Sequence, residues 1–383
     1  MSVTAAGGFR AAGLAAGIKD SGTYDLALVV NDGPAHAAAG VFTTNRVKAA
    51  PVLWSEQVLH AGRLRAVILN SGGANACTGP EGFADTHHTA EQVAGALGVG
   101  AAEVAVCSTG LIGERLPMPA VLAGVDKAVA ALSAEGGADA ARAIMTTDTV
   151  LKEAVRTGAG WTVGGMAKGA GMLAPGLATF LSVLTTDAVL DAAACDAALR
   201  AATRITFDRV DADGCMSTND TVLLLASGAS GVTPRPEEFT AALTAVCMDL
   251  AGQLIADAEG ATKVVTIEVF GAASEDDAVE VGRSIARNTL LKCALYGNDP
   301  NWGRVASAIG TTGATFEPDD FDIAINGVTL CKAGSAAADR STADLSGRIV
   351  HIAVDLHAGS HAATVWTTDL SVAYVHENSA YST

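Results

Sequence analysis

Cationic residues are scarce in this 383-residue chain: 24 Lys and Arg stand against 41 Asp and Glu, a formal net charge of −17. That balance, with a pI near 4.7, leaves no cationic face for a phosphate backbone or an anionic bilayer, so neither nucleic acid nor membrane is an expected partner. Several signatures are missing. No Gly-Lys-Ser/Thr occurs, hence no Walker A loop, and there is no Gly-x-Ser-x-Gly elbow. The glycine-rich Asn70-Ser-Gly-Gly-Ala-Asn75 lacks Gly-x-Gly-x-x-Gly spacing and an acidic ribose partner, and reads as a strand-ending loop. The seven cysteines, Cys77, Cys107, Cys195, Cys215, Cys247, Cys293 and Cys331, form no Cys-x-x-Cys pair. An odd, scattered set fits buried thiols in a reducing compartment, not a disulfide framework.

Half of the residues are hydrophobic and 17% are charged, which suffices for a core and excludes a disordered chain. Single cores stop growing near roughly 250–300 residues, so two packed lobes are expected. The first twenty residues have no Leu-rich run, and no signal peptide is expected. Residues 169–186 run without a charge, at the lower length limit for a membrane span, but they carry Pro175 and several glycines. A buried turn and strand is the reading, and the protein is expected to be soluble and cytoplasmic.

Strand-like and helix-like segments alternate, predicting a mixed α/β fold. Residues 26–30 and 66–69 are short apolar runs of the buried-strand kind. Residues 90–97 and 120–132 have helical spacing. A helix is predicted from Glu237 through Phe239, Leu243, Val246, Leu250 and Leu254, with Gly260 as its C′ stop. Val265, Ile267 and Val269 alternate as a half-buried strand. Ser274 before Glu275, Asp276 and Asp277 is an N-cap opening a second helix, with Ala278, Val281 and Ile285 on one face. Val350, Ile352, Val354 and Leu356 alternate again and turn at residues 357–361 into a partner strand through Trp366. His87-His88 and the set His351, Asp355, His357 and His361 are the His-rich places; residues 351, 355 and 357 share a strand face that could suit a metal, but no ligand motif accompanies them. The solvated face of a hairpin is the preferred reading, and no metal is expected.

One segment concentrates chemistry: Trp161-Thr-Val-Gly-Gly-Met-Ala-Lys-Gly-Ala-Gly-Met-Leu-Ala-Pro-Gly-Leu-Ala-Thr-Phe-Leu-Ser-Val-Leu-Thr-Thr-Asp187. It places Lys168 among glycines, then a Pro175-Gly176 turn, then Ala178-Thr179 before an apolar run. A hydroxyl at a strand start behind such a turn can attack its own preceding carbonyl. Once released, its α-amine, with a reference pKa of about 7.7–8.0, can act as general base for its own Oγ. From the residues alone a buried loop-to-strand junction is the plainer reading, and Thr185 and Thr186 compete for the role.

The segment resembles the ornithine acetyltransferase (glutamate N-acetyltransferase) family of arginine biosynthesis, whose signature is Lys-Gly-x-Gly-Met-(x)-Ala-Pro-x-x-Ala-Thr. The resemblance spans the chain. It includes Asn70-Ser-Gly-Gly-Ala-Asn75, Ser108-Thr-Gly-Leu-Ile-Gly113, Met145-Thr-Thr-Asp148, Asp213-Gly-Cys-Met-Ser-Thr-Asn-Asp220, Ala258-Glu-Gly-Ala-Thr-Lys263, Gly297-Asn-Asp-Pro-Asn-Trp-Gly-Arg304 and Tyr374-Val-His-Glu-Asn-Ser-Ala-Tyr-Ser-Thr383. Leu177 and Phe180 stand where many relatives carry Met.

The resemblance implies a two-lobed layered α/β sandwich with the catalytic threonine between lobes. It implies that Thr179 is the nucleophile, freed by cleavage of the Ala178–Thr179 bond into chains 1–178 and 179–383. Thr109 and Gly110 match the oxyanion-hole pair. Thr146, or its neighbour Thr147, with Lys168, Thr179, Glu259, Asn378 and Thr383 match substrate-binding positions. The implied reaction passes an acetyl group from N2-acetyl-L-ornithine to L-glutamate by double displacement, with no metal or organic cofactor. The fragments are expected to remain a heterodimer and to assemble to a heterotetramer or larger. Two alternatives keep the same threonine: an amidase or aminopeptidase with water as acceptor, and a bifunctional enzyme that also uses acetyl-CoA. A third is an uncleaved amino-acid-binding protein. Asn298, Asp299, Arg304, Asp213, Asn219 and Asp220 read equally well as loop scaffolding.

Overall fold

The computed structural model describes residues 2–174 and 180–380. The chain runs β1 (Phe9–Leu14), β2 (Leu26–Asn31), β3 (Ala37–Phe42), α1 (Ala50–Leu59), β4 (Ala66–Gly73), α2 (Gly79–Leu97), β5 (Val104–Leu111), α3 (Met118–Ala130), α4 (Gly137–Ala143), β6 (Lys152–Thr157) and β7 (Thr162–Lys168). Then come β8 (Leu181–Thr186), α5 (Ala192–Arg204), β9 (Thr221–Ala226) and α6 (Pro236–Ala256). The remainder is β10 (Val264–Ala272), α7 (Glu275–Ala286), α8 (Thr289–Tyr296), α9 (Trp302–Ile309), β11 (Asp322–Ile325), β12 (Val328–Lys332), β13 (Ser335–Ala336), β14 (Ile349–Asp355), β15 (His361–Thr368) and α10 (Val372–Ala380).

The first lobe is a four-layer sandwich. A four-stranded sheet, β1-β2-β4-β5, faces a five-stranded sheet, β3-β9-β8-β7-β6. Alternation along the shared strands builds it: Leu223 and Leu225 of β9 point into the inter-sheet core with Leu28 and Val67. Val222, Leu224 and Ala226 point the other way, against α5 and α6. Helices α2 and α3 pack on each other and on the four-stranded sheet. Strands buried on both faces need apolar runs, and β2 and β8 are buried along all six residues. Helix α6 alone among the described helices is long and apolar enough to cross a membrane. It lies instead on β6 and β7 and buries Phe239, Leu243, Val246, Leu250 and Leu254.

The second lobe is a six-stranded sheet, β13-β12-β11-β14-β10-β15, with its own core. Val265, Ile267 and Val269 share that core with Val350, Ile352, Val354 and the predicted α7 face of Ala278, Val281 and Ile285. Ser274 caps α7 as expected, its side chain accepting from Asp277 N at 3.0 Å.

Four sequence expectations need correction. The segment from Asn70 is strand rather than loop, because β4 continues to Gly73 with a register shift at Gly72 and Gly73. Strands β14 and β15 form no hairpin. β10 lies between them, parallel to β14 and antiparallel to β15, so the 357–361 turn crosses over a third strand. Gly260 is no C′ residue, since α6 ends at Ala256 with Asp257 as its cap. Its φ of +60° serves a close approach: a Cβ there would lie 2.2 Å from Tyr374 N of α10. Cys77, Cys215 and Cys293 are exposed, whereas the other four thiols are buried.

Candidate active site

Parallel pairing of β4 with β5 brings Gly72 opposite Gly110, and the backbone of β4 comes so close that Gly110 admits no side chain. A Cβ on Gly110, whose φ is +128°, would lie 2.6 Å from Gly73 N and 2.7 Å from Gly72 C. Thr109, next to it, is buried. Asn219, just before β9, holds this strand end in place: its Nδ2 donates to Ala74 O at 2.6 Å and to Ser108 O at 2.8 Å. Ser108 Oγ in turn donates to Asn70 Oδ1 at 2.6 Å.

Lys168 ends β7 and is buried, its Nζ donating to Thr109 Oγ1 at 3.3 Å. Since Lys168 supplies that proton, the Thr109 O–H is left to donate into the cleft. Burial pushes the Lys168 ammonium below its ordinary range, opposed chiefly by Asp148. On the other wall, Glu259 follows α6 and accepts from Asn378 Nδ2 of α10 at 2.9 Å. Gly171 gives that carboxylate room, for a Cβ there would lie 2.6 Å from both Glu259 oxygens.

One cleft gathers Thr109, Gly110, Thr146, Thr147, Lys168, Glu259 and Asn378, and Gly171, Met172 and Asn219 are also part of its lining. Six predicted positions from five separated sequence blocks therefore converge. Thr146 and Thr147 both line it, so the choice between them stays open. Ala178, Thr179 and Thr383 lie outside the described residues. Phe180, which follows Thr179 in the chain, donates its N–H to Asp220 Oδ1 at 3.1 Å. Asp220 is wholly buried, and burial pushes its carboxyl well above the ordinary range, against the Phe180 N–H and Lys168.

Asn219 and Asp220 were legible only as part of a block, because a clamp to two carbonyls 111 and 145 residues away leaves no local pattern. Asp213 and Asn298–Arg304 stay outside this cleft. A roomier cavity of about 630 Å³, between β3, α1 and α5, contains none of the predicted residues. His351 of β14 and His357 just after it do not converge either: His351 pairs with Glu268 at 3.1 Å and His357 lies 3.5 Å from Asp322, all partly exposed. Among the described residues no three His, Cys, Asp or Glu side chains gather as a metal requires.

A profile of the ArgJ family matches residues 10–383. The arginine biosynthesis bifunctional protein ArgJ of Streptomyces avermitilis is 70% identical over 382 residues, covering 100% of both chains. That of Thermobifida fusca is 67% identical over 383 residues, again covering 100% of both. A solved structure of ornithine acetyltransferase complexed with ornithine, from Mycobacterium tuberculosis, is 68% identical, covers 45% of this chain and 94% of that one, and has a TM-score of 0.45. With a family profile spanning nearly all its length and relatives this similar from end to end, the chain belongs to the ArgJ family.

Proposed function

We propose that the chain is a self-cleaving glutamate N-acetyltransferase of arginine biosynthesis, moving the acetyl group of N2-acetyl-L-ornithine to L-glutamate through an acyl-enzyme on Thr179. The observation that carries this reading is the pairing of opposite charges across one cleft: buried Lys168 with the Thr109 hydroxyl on one wall, Glu259 on the other. Each substrate brings a carboxylate for Lys168 and a cationic nitrogen for Glu259: the side-chain ammonium in N2-acetyl-L-ornithine, whose α-nitrogen is the acylated one, and in L-glutamate the α-ammonium before it gives up the proton that frees it to attack. Both substrates carry an α-carbon bearing a carboxylate and a nitrogen, so one pocket serves both half-reactions.

Thr179 Oγ attacks the acetyl carbonyl while the Thr179 amine takes its proton. Thr109 O–H and Gly110 N–H receive the developing negative charge. Collapse of the tetrahedral adduct breaks the amide bond and returns the proton to the leaving ornithine nitrogen. Glutamate then enters, its neutral α-amine attacks the acyl ester, and the Thr179 amine takes the proton that nitrogen sheds and hands it to Thr179 Oγ as the C–O bond breaks. Thr146, Asn378 and Thr383 complete the substrate contacts.

Cleavage at Ala178–Thr179 yields chains 1–178 and 179–383. Strands β7 and β8 fall on opposite sides of that bond and pair from Val163↔Thr186 to Lys168↔Leu181, which supports lasting association of the two chains. Further assembly to a heterotetramer or larger, and a cytoplasmic location, belong to the same proposal. The word bifunctional in the names of both relatives favours a second donor, acetyl-CoA, at the same threonine.

Intact-mass measurement of wild type beside Thr179→Ala tests the reading. Two fragments with Thr179 as the new N-terminus, and an uncleaved variant, are expected. Acetyl transfer that requires added glutamate then separates the transferase from an amidase. A wild type that stays one active chain refutes the N-terminal-amine mechanism.

A further inference from the structure

Behind the cleft lies a buried carboxylate that contacts no open part of it. The Asp148 side chain is fully buried, as is that of Lys152 at the start of β6. Asp148 Oδ2 accepts from Thr146 N at 3.0 Å. Its Oδ1 accepts from Gly169 N at 2.7 Å and from Lys152 Nζ at 2.6 Å. Lys152 Nζ donates onward to Asp257 Oδ2 at 2.6 Å. Asp257, the cap of α6, also accepts from Thr149 N at 3.0 Å and stands two residues before Glu259. Glu259 N closes the loop by donating to Ala170 O at 3.0 Å.

We infer that Asp148, acting through Lys152 and Asp257, is a positioning residue that sets the separation between the cation and the anion of the substrate cleft. One carboxylate ties down the Thr146 backbone and the turn that follows Lys168. The same carboxylate, through one ammonium, ties down the segment that carries Glu259. Three segments distant in sequence thus share a buried charged junction, and none can shift without breaking a charge-assisted bond in a low-dielectric interior. An amino acid needs its two charged groups met simultaneously, so this rigidity translates into affinity for both substrates. The inference rests on the reading above that Lys168 and Glu259 grip the amino acid.

Asp148 also governs the charge of Lys168. The charged groups facing Lys168 are Asp148, Lys152 from β6, Asp220 before β9, Glu259 after α6 and Lys19 from the β1–β2 loop. Burial lowers the ammonium most, and Asp148 opposes it most. With a neutral residue at 148, Lys168 gives up its proton at lower pH, and substrate affinity fails earlier as pH rises.

The test uses the full self-cleaved enzyme and measures KM for both amino acids, kcat, and the equilibrium Kd of L-ornithine by calorimetry across pH. Wild type comes first: if it transfers no acetyl group to glutamate, the functional reading fails and takes this inference with it. With wild type active, Asp148→Asn is expected to raise both KM values and the ornithine Kd about tenfold or more, with kcat within about threefold. The alkaline limb of its Kd profile moves to lower pH. Unchanged KM with an unmoved limb, or a loss confined to kcat, overturns the inference while leaving the function intact. If Asp148→Asn does not fold, Asp257→Asn decides. It leaves Asp148 beside Lys168, so KM should rise with the alkaline limb where wild type has it, and unchanged KM overturns the tie to Glu259.

Discussion

Replacing Gly110 with alanine tests the oxyanion hole through the backbone alone, leaving every side chain of the cleft in place. The added Cβ would stand 2.6 Å from Gly73 N and 2.7 Å from Gly72 C, with φ at +128°. Both obstacles are backbone, so β5 must draw away from the end of β4. Relieving the contact needs a displacement of about half an ångström, which carries a donor out of the roughly 2.7–3.1 Å window where it stabilises an oxyanion. Loss of one such donor lowers kcat about 10²–10³-fold, and about 10² is expected here because the Thr109 hydroxyl remains. The strained backbone costs about 1–3 kcal/mol of stability. Gly113→Ala is the control, since Gly113 also has positive φ, +91°, but nothing lies within 4 Å of its Cβ. The assay is steady-state acetyl transfer by cleaved enzyme, with thermal unfolding alongside. If Gly110→Ala keeps kcat within about threefold of wild type, Gly110 N–H is not an oxyanion donor.

Gly171→Ala places a methyl 2.6 Å from both Glu259 oxygens, so the carboxylate swings aside; ornithine Kd measured by calorimetry should rise about tenfold with kcat little changed. Gly260→Ala collides with Tyr374 N at 2.2 Å and should undock α10, seen as faster amide exchange over residues 372–380 and a higher KM as Asn378 leaves Glu259. Lys292 donates to Ala212 O at 2.7 Å and Thr367 Oγ1 at 3.1 Å, so Lys292→Met should lose about 2–4 kcal/mol in denaturant unfolding. Burial lowers the Lys292 ammonium from 10.5 to about 8. The unfolded chain then holds more protons than the native one between those values, and wild-type stability gains with pH across that window. The variant should lack that gain.

The sequence by itself determined which residues are the candidates for the chemistry and which faces are apolar. Thr109, Gly110, Lys168, Glu259 and Asn378 were named from the family resemblance of their blocks, and the alternation at Val265–Val269 and Val350–Val354 predicted strands with one buried face, which the structure places in one core. Those signals are local: a period of two, a cap, a glycine-flanked lysine. Partnership between distant segments is not local, and there only the tertiary structure decided. It put β10 between β14 and β15, where alternation says which face is buried but not which neighbour is bonded. It showed that Gly260 makes room for α10 rather than ending α6, since a left-handed glycine serves either purpose and only the approaching backbone distinguishes them. It also gathered Asp148 and Lys152 from one segment and Asp257 from another, about a hundred residues on, into one buried junction. In sequence they are ordinary charged residues; only burial, by removing water, turns their contacts into constraints on the cleft.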